Sequence, residues 1–140
     1  MSESNVTTLK RIEGYKFKAQ FDAEGIPDLI VDELKPIGES SAPNPTRLLS
    51  VAVGHCLSSS LLYCLAKARI SVFNLETTVK TTLGRNEQSY LRVKKLGVQM
   101  HLTVEEKDKP RLSRCLDIFE NYCTVTQSVR NGIAVTVNIK

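Results

Sequence analysis

The sequence predicts an α+β fold, on three observations. A long apolar segment spans residues 45–69, with no charged residue between Arg47 and Lys67 apart from any protonated His55. Stretches on both sides of it alternate apolar and polar residues with the period of a strand. The 140 residues suffice for one core and not two, so a single domain over residues 1–140 is expected.

Tyr15, Phe17, Ala19 and Phe21 alternate with Lys16, Lys18 and Gln20, so a first strand should end near Asp22. The turn-rich residues 23–27 lead into a short strand, Leu29-Ile30-Val31, and residues 35–44 are rich in Pro, Gly and Ser, which predicts a loop. Asn44-Pro45 reads as an N-cap followed by proline at the first helical position, and helix formers continue to Arg69. A helix without a charged face belongs at the centre of a protein. Ser50, Gly54, His55, Ser58, Ser59 and Ser60 interrupt the apolar run, which argues against a membrane span. A domain of this size struggles to surround such a helix, so a second copy of the chain is expected to cover part of it.

Beyond the helix, Phe73, Leu75, Thr77, Val79, Thr81 and Leu83 share one face of a strand. Residues 84–89 connect it to a second long strand, where Leu91 and Val93 give way to Leu96, Val98, Met100, Leu102 and Val104. The parity changes at Lys94-Lys95, as a β-bulge requires. Asp108 is expected to cap a second helix, whose apolar positions Leu112, Cys115, Leu116, Phe119, Tyr122 and Cys123 follow helical spacing. After Asn131-Gly132, the odd positions Ile133, Val135, Val137 and Ile139 predict a final strand. The expected order is β-β-α-β-β-α-β.

Nineteen basic and fifteen acidic residues give a net charge of +4, dispersed along the chain, so nucleic-acid binding is not expected. The start of the chain has no signal-peptide pattern, so a cytoplasmic location is expected. There, four cysteines are expected to be reactive, metal-binding or buried rather than a disulfide framework. Cys56 and Cys64 are eight residues apart, as are Cys115 and Cys123. Eight residues of helix rise about 12 Å, so neither helix can bridge its own pair. If the helices pack antiparallel, bringing Cys56 beside Cys123 also brings Cys64 towards Cys115. Zinc held by His55, His101 and cysteines lacks any short Cys-x-x-Cys or His-x-x-x-His pair, and no motif calls for a cofactor. Ser58-Ser59-Ser60 lacks a nucleophile elbow and reads as packing.

The run Ala42-Pro43-Asn44-Pro45-Thr46-Arg47-Leu48-Leu49 through Gly54-His55-Cys56, and the run Glu120-Asn121-Tyr122-Cys123-Thr124-Val125-Thr126-Gln127-Ser128, resemble the two cysteine motifs of the OsmC/Ohr family, the osmotically inducible and organic hydroperoxide resistance proteins. The resemblance implies an OsmC-like fold in an intertwined homodimer, with long central helices and active sites at the subunit interface. It also implies reduction of a small organic hydroperoxide by Cys56, resolution by Cys123, and regeneration by an external dithiol. Peroxide-reducing relatives carry a glutamate ten residues before the first cysteine, where this chain has Thr46. The sequence is thus nearer to members lacking that glutamate. The family's active-site arginine is matched by candidates only, Arg47 or Lys35 as electrostatic helpers.

Lowering a thiol pKa from about 8.5 to about 6 raises the thiolate fraction at pH 7 only ~30-fold, so positioning and stabilisation of the leaving oxygen must supply the rest. The expected function is therefore a thiol-dependent peroxide reductase. The alternative is a binding protein that holds an acyl or thiol-bearing small molecule in the interface cleft without turnover.

Overall fold

Residues 3–140 are described by a computed structural model, in which the chain forms two compact units, Met1–Leu49 and Ser50–Lys140. In the first unit, β1 (Thr7–Glu13), β2 (Lys16–Phe21) and β3 (Leu29–Val31) make an antiparallel sheet in the order β1-β2-β3. β2 and β3 are the two expected strands. β1 was not expected, because all seven of its residues are exposed and it carries no buried-face alternation. Its ladder to β2, with Leu9 opposite Ala19, holds it in place. Gly14, at φ +50°, turns the chain between Glu13 and Lys16.

The loop after β3 is organised by Asp32. Its buried carboxylate accepts hydrogen bonds from the backbone N–H of Glu33 (2.8 Å), Glu39 (3.2 Å) and Ser41 (3.2 Å) and from the Ser41 hydroxyl (2.7 Å). Gly38 is required beneath it, since a Cβ there would overlap the Glu33 carbonyl and lie 2.6 Å from the Asp32 carboxylate. The loop ends at Asn44, whose side chain accepts from the Arg47 N–H (3.3 Å) as the N-cap of α1 (Pro45–Lys67). The expected helix start is thus observed.

α1 continues into the second unit, where β4 (Val72–Arg85) and β5 (Leu91–Val104) form a long antiparallel hairpin. Thr82 pairs with Lys95 and Leu83 with Val93, which leaves Lys94 unpaired at the predicted bulge. α1 approaches β4 at Gly54, where a Cβ would stand 2.8 Å from a Val79 methyl. One turn on, the Ser58 hydroxyl donates to the Gly54 carbonyl (2.7 Å), so it accepts from the Thr77 hydroxyl at 2.6 Å. Leu61 and Leu65 of α1 form the core with Ile70, Val104 and Cys115.

The expected second helix is broken. A 3₁₀ turn (Glu106–Arg111) precedes α2 (Leu112–Ile118), a second 3₁₀ turn (Phe119–Tyr122) follows, and α3 (Thr124–Asn131) begins after an extended Cys123. Asp108 does not cap an α-helix; it is buried in the first turn and bound to Arg111 at 2.9 Å. Apolar spacing identifies a face but not helical continuity. Pro110 lacks an N–H, so unbroken α-helix is disfavoured ahead of α2.

The predicted final strand is also absent. Residues 132–140 have no regular structure, and Ile133, Val135, Val137 and Ile139 are 64–89% exposed. Alternation marks a face to be buried, but a strand also needs a neighbouring edge for its backbone groups, and among the described residues none pairs with these. The observed order is β-β-β-α-β-β-α-α. By length and composition alone, α1 is long and apolar enough to cross a membrane, yet 33% of that window is buried within the chain.

The four hydrogen bonds depress the Asp32 carboxyl from 3.8 to about 2, led by the Ser41 hydroxyl against the cost of burial. Because the folded pKa is the lower one, its contribution to stability is full above about pH 4 and is lost as pH falls through about 2. Urea titrations should therefore show wild type exceeding Asp32→Asn by a margin that is constant above pH 5 and shrinks steadily towards pH 2. A margin independent of pH would contradict this role.

Candidate active site: two thiols at the start of a short helix

Positions 56, 60 and 64 of α1 follow one another at four-residue spacing and so share a face. That face meets the chain running from Cys115 to Thr126 in the opposite direction. Cys64 and Cys115 are joined as a disulfide with a Cα–Cα distance of 5.7 Å, and Cys56 and Cys123 are free thiols in hydrogen-bond contact. Both pairs implied by antiparallel packing are thus brought together. The disulfide departs from the expectation of four cysteines without a structural bridge. Antiparallel packing places the second pair within bonding distance, which composition does not reveal.

The free thiols differ in access and in charge. Cys56 is half-buried, whereas Cys123 has 0% exposure. Cys123 occupies the N-cap position of α3, with its sulfur 2.9 Å from the Thr126 hydroxyl. Burial raises its pKa, but hydrogen bonds from the Thr126 hydroxyl, the Cys56 thiol and the Ser60 hydroxyl outweigh burial, and the net direction is down. The sulfur makes no regular capping hydrogen bond, yet the Thr126 amide adds to the lowering. Burial pushes the Cys56 thiol up, and its hydrogen bond to Cys123 pushes it further because Cys56 keeps the proton. The Val125 and Thr124 amides favour a Cys56 thiolate but are outweighed. The two thiols titrate as a pair, in which the contacts of the buried sulfur favour its charged form and those of the reachable sulfur favour its neutral form.

Thr46, Arg47 and Lys35 lie in the first unit. Thr46 and Arg47 occupy the first turn of α1, where the Arg47 guanidinium donates to the Asn44 side chain at 3.1 Å and the Thr46 hydroxyl lies 3.5 Å from the same oxygen. Lys35 is exposed in the loop, its backbone N–H bound to the Ser40 hydroxyl at 2.8 Å. Ser60 and Thr126 were not among the sequence candidates. In the sequence Ser60 reads as packing, although its four-residue spacing from Cys56 is a usable signal; Thr126 lies within the second cysteine motif. Among the described residues, no three His, Cys, Asp or Glu side chains are grouped to hold a metal ion.

A family model for OsmC-like protein matches residues 38–138, which include both free cysteines. The chain belongs to the OsmC family. No curated protein matches it. Among solved structures, it is similar to an OsmC-like protein of unknown function from Vibrio cholerae (19% identity, TM-score 0.75, covering 91% of this chain and 94% of that one). An OsmC-like protein from Mycoplasma pneumoniae superposes with TM-score 0.76 at 13% identity, covering 93% and 89%. An organic hydroperoxide resistance protein OsmC from Legionella pneumophila gives 0.66 at 17% identity, covering 91% and 90%. At these identities the shared property is the fold, a mixed α/β arrangement with two sheets. Family membership and the cysteine pairs together agree with thiol-based redox chemistry.

Replacing the Thr126 hydroxyl removes a donor to the buried thiolate. Hydrogen bonds to charged groups contribute about 1.5–3 kcal/mol, or roughly one to two pKa units. In Thr126→Val the first ionisation of the pair, read from the pH dependence of alkylation, should rise by about one unit. An unchanged profile would show that this hydroxyl does not stabilise the anion.

Proposed function

We propose that the protein is a thiol-dependent reductase of organic hydroperoxides, with Cys56 as the attacking thiol and Cys123 as the resolving thiol. The observation that carries this reading is the division between them: one sulfur is reachable, and the other is buried, acidic and in contact with the first. A proton moving from Cys56 to the Cys123 thiolate leaves the charge on the reachable sulfur, beside the Thr124 and Val125 amides. Attack on the terminal peroxide oxygen forms the S–O bond and breaks the O–O bond. The alkoxide leaves and takes a proton from water, so the peroxide gains the two electrons that Cys56 loses in becoming a sulfenic acid. The Cys123 thiol then displaces water to form the Cys56–Cys123 disulfide, and an external dithiol restores both thiols.

A second reading is binding of an acyl or thiol-bearing small molecule without turnover. Thr46, where peroxide-reducing relatives carry glutamate, favours it. With tert-butyl hydroperoxide and an excess of dithiol, Cys56→Ser should consume no peroxide. Cys123→Ser should give one turnover and a sulfenic acid on Cys56 that a dimedone-type trap captures. Full turnover by Cys56→Ser would sink the assignment of the attacking thiol, and wild-type protein that binds the peroxide without losing thiols would support the second reading.

We also propose that the working form is a homodimer. Only 33% of α1's apolar window is buried in the single chain, with Val51, Leu62 and Tyr63 exposed, and the C-terminal residues alternate apolar side chains without a strand to pair with. A second copy supplies an apolar cover for the helix and an edge for the tail. Sedimentation at micromolar concentration should give a dimer for wild type and a shift towards monomer for Val135→Lys/Val137→Lys. A stable wild-type monomer with native circular dichroism would refute it.

A further inference from the structure

Where α1 ends beside α2, the second unit contains a cavity of about 540 Å³, walled in part by Cys64 and Cys115. Lys67, Arg111 and Arg114 line it, and no carboxylate does. Arg111 is already engaged, donating to Asp108 at 2.9 Å and to the Ala68 carbonyl, so its charge is largely offset. The Lys67 ammonium sits 5.4 Å from the Tyr63 ring centroid, and neither Lys67 nor Arg114 has an ion-pair partner among the described residues. Two uncompensated cations beside tyrosine rings make a receptor for a small anion with an apolar body.

We propose that this cavity is a second thiol–disulfide site, in which the Cys64–Cys115 disulfide exchanges with a small carboxylate-bearing thiol. Cys64 is half-buried and Cys115 is 3% exposed, so an incoming thiolate reaches Cys64. Its sulfur bonds to the Cys64 sulfur, the Cys64–Cys115 bond breaks, and Cys115 departs as a thiolate that takes up a proton. A second thiolate then attacks the small thiol's sulfur in the mixed disulfide and releases Cys64. In sum, two small thiols lose two electrons and become their disulfide, and the protein disulfide gains them. The carboxylate of the bound thiol faces Lys67 and Arg114, which raises its local concentration beside Cys64. Cys56 lies eight residues, or about 12 Å of helix, from Cys64, so this exchange is separate from the Cys56–Cys123 chemistry.

The test compares two thiols of similar size and opposite charge, 3-mercaptopropionate and cysteamine, on the full chain carrying the Cys64–Cys115 disulfide. Each rate is divided by that thiolate's rate with 2-hydroxyethyl disulfide, which removes intrinsic reactivity. Acid quenching and peptide mass spectrometry then locate the adduct. The anionic thiol should be favoured by about tenfold at low salt, with its adduct on Cys64, and the preference should decline as salt screens the cavity. Lys67→Gln/Arg114→Gln should lose most of the preference while keeping the disulfide. Equal normalised rates, an adduct on Cys115, a salt-independent preference, or a disulfide that opens only on unfolding would each overturn the proposal. Because the readout is at Cys64 and Cys115, failure here is distinguishable from failure of peroxide reduction at Cys56.

Discussion

The antiparallel contact between the Cys56-Ser60-Cys64 face of α1 and the chain from Cys115 to Thr126 is the constraint on which the rest depends. At one end it is covalent, through Cys64 and Cys115. At the other it is a polar contact among Cys56, Ser60, Cys123 and Thr126. Four-residue spacing on α1 supplies a straight row of small side chains, so the facing segment can approach closely without a large residue between them. Gly54 and Ser58 do the same on the side facing β4, where the helix comes within van der Waals range of Val79 and hydrogen-bonds Thr77. A helix held on two sides at close range presents its sulfurs at fixed positions.

Within that frame, the break in the second helical region sets the chemistry. Had residues 112–131 formed one α-helix, Cys123 would lie in its interior, where backbone amides are already paired. The extended Cys123 instead begins a new helix, whose first amides have no intrahelical partner and, with the Thr126 hydroxyl, face the sulfurs. Both thiols therefore face a region that favours negative charge; burial opposes charge on each, and their difference comes from the Thr126 and Ser60 hydrogen bonds to Cys123 and from the proton the two sulfurs share. The buried sulfur carries the charge more easily; the half-buried one is open to a reactant. Separation of acidity from access suits a pair in which one sulfur attacks and the other first stores charge and later closes the disulfide.

Local and periodic features were legible in the sequence. Asn44-Pro45 announced the start of α1, and the parity change at Lys94 the bulge in β5, because each depends on the preferences of a few adjacent residues. The equal eight-residue spacings of the cysteines, with antiparallel packing, carried the pairing of both sets. β1 was invisible because a strand with every residue exposed has no alternating burial to leave in its sequence. The tail from Ile133 to Ile139 erred the other way, with a strand's alternation but no edge beside it in the chain.

What the sequence by itself determined was therefore the set of elements with a strong local signal and the identity of the two motif cysteines. Tertiary structure alone decided that Cys64 and Cys115 are bonded, that Ser60 and Thr126 attend Cys123, and that hydrogen bonds pull the buried thiol's pKa down while burial pushes that of Cys56 up. The physical reason is that helix caps, bulges and alternation are governed by neighbours in sequence. A pKa and a disulfide depend on which distant atoms share a few ångströms of space.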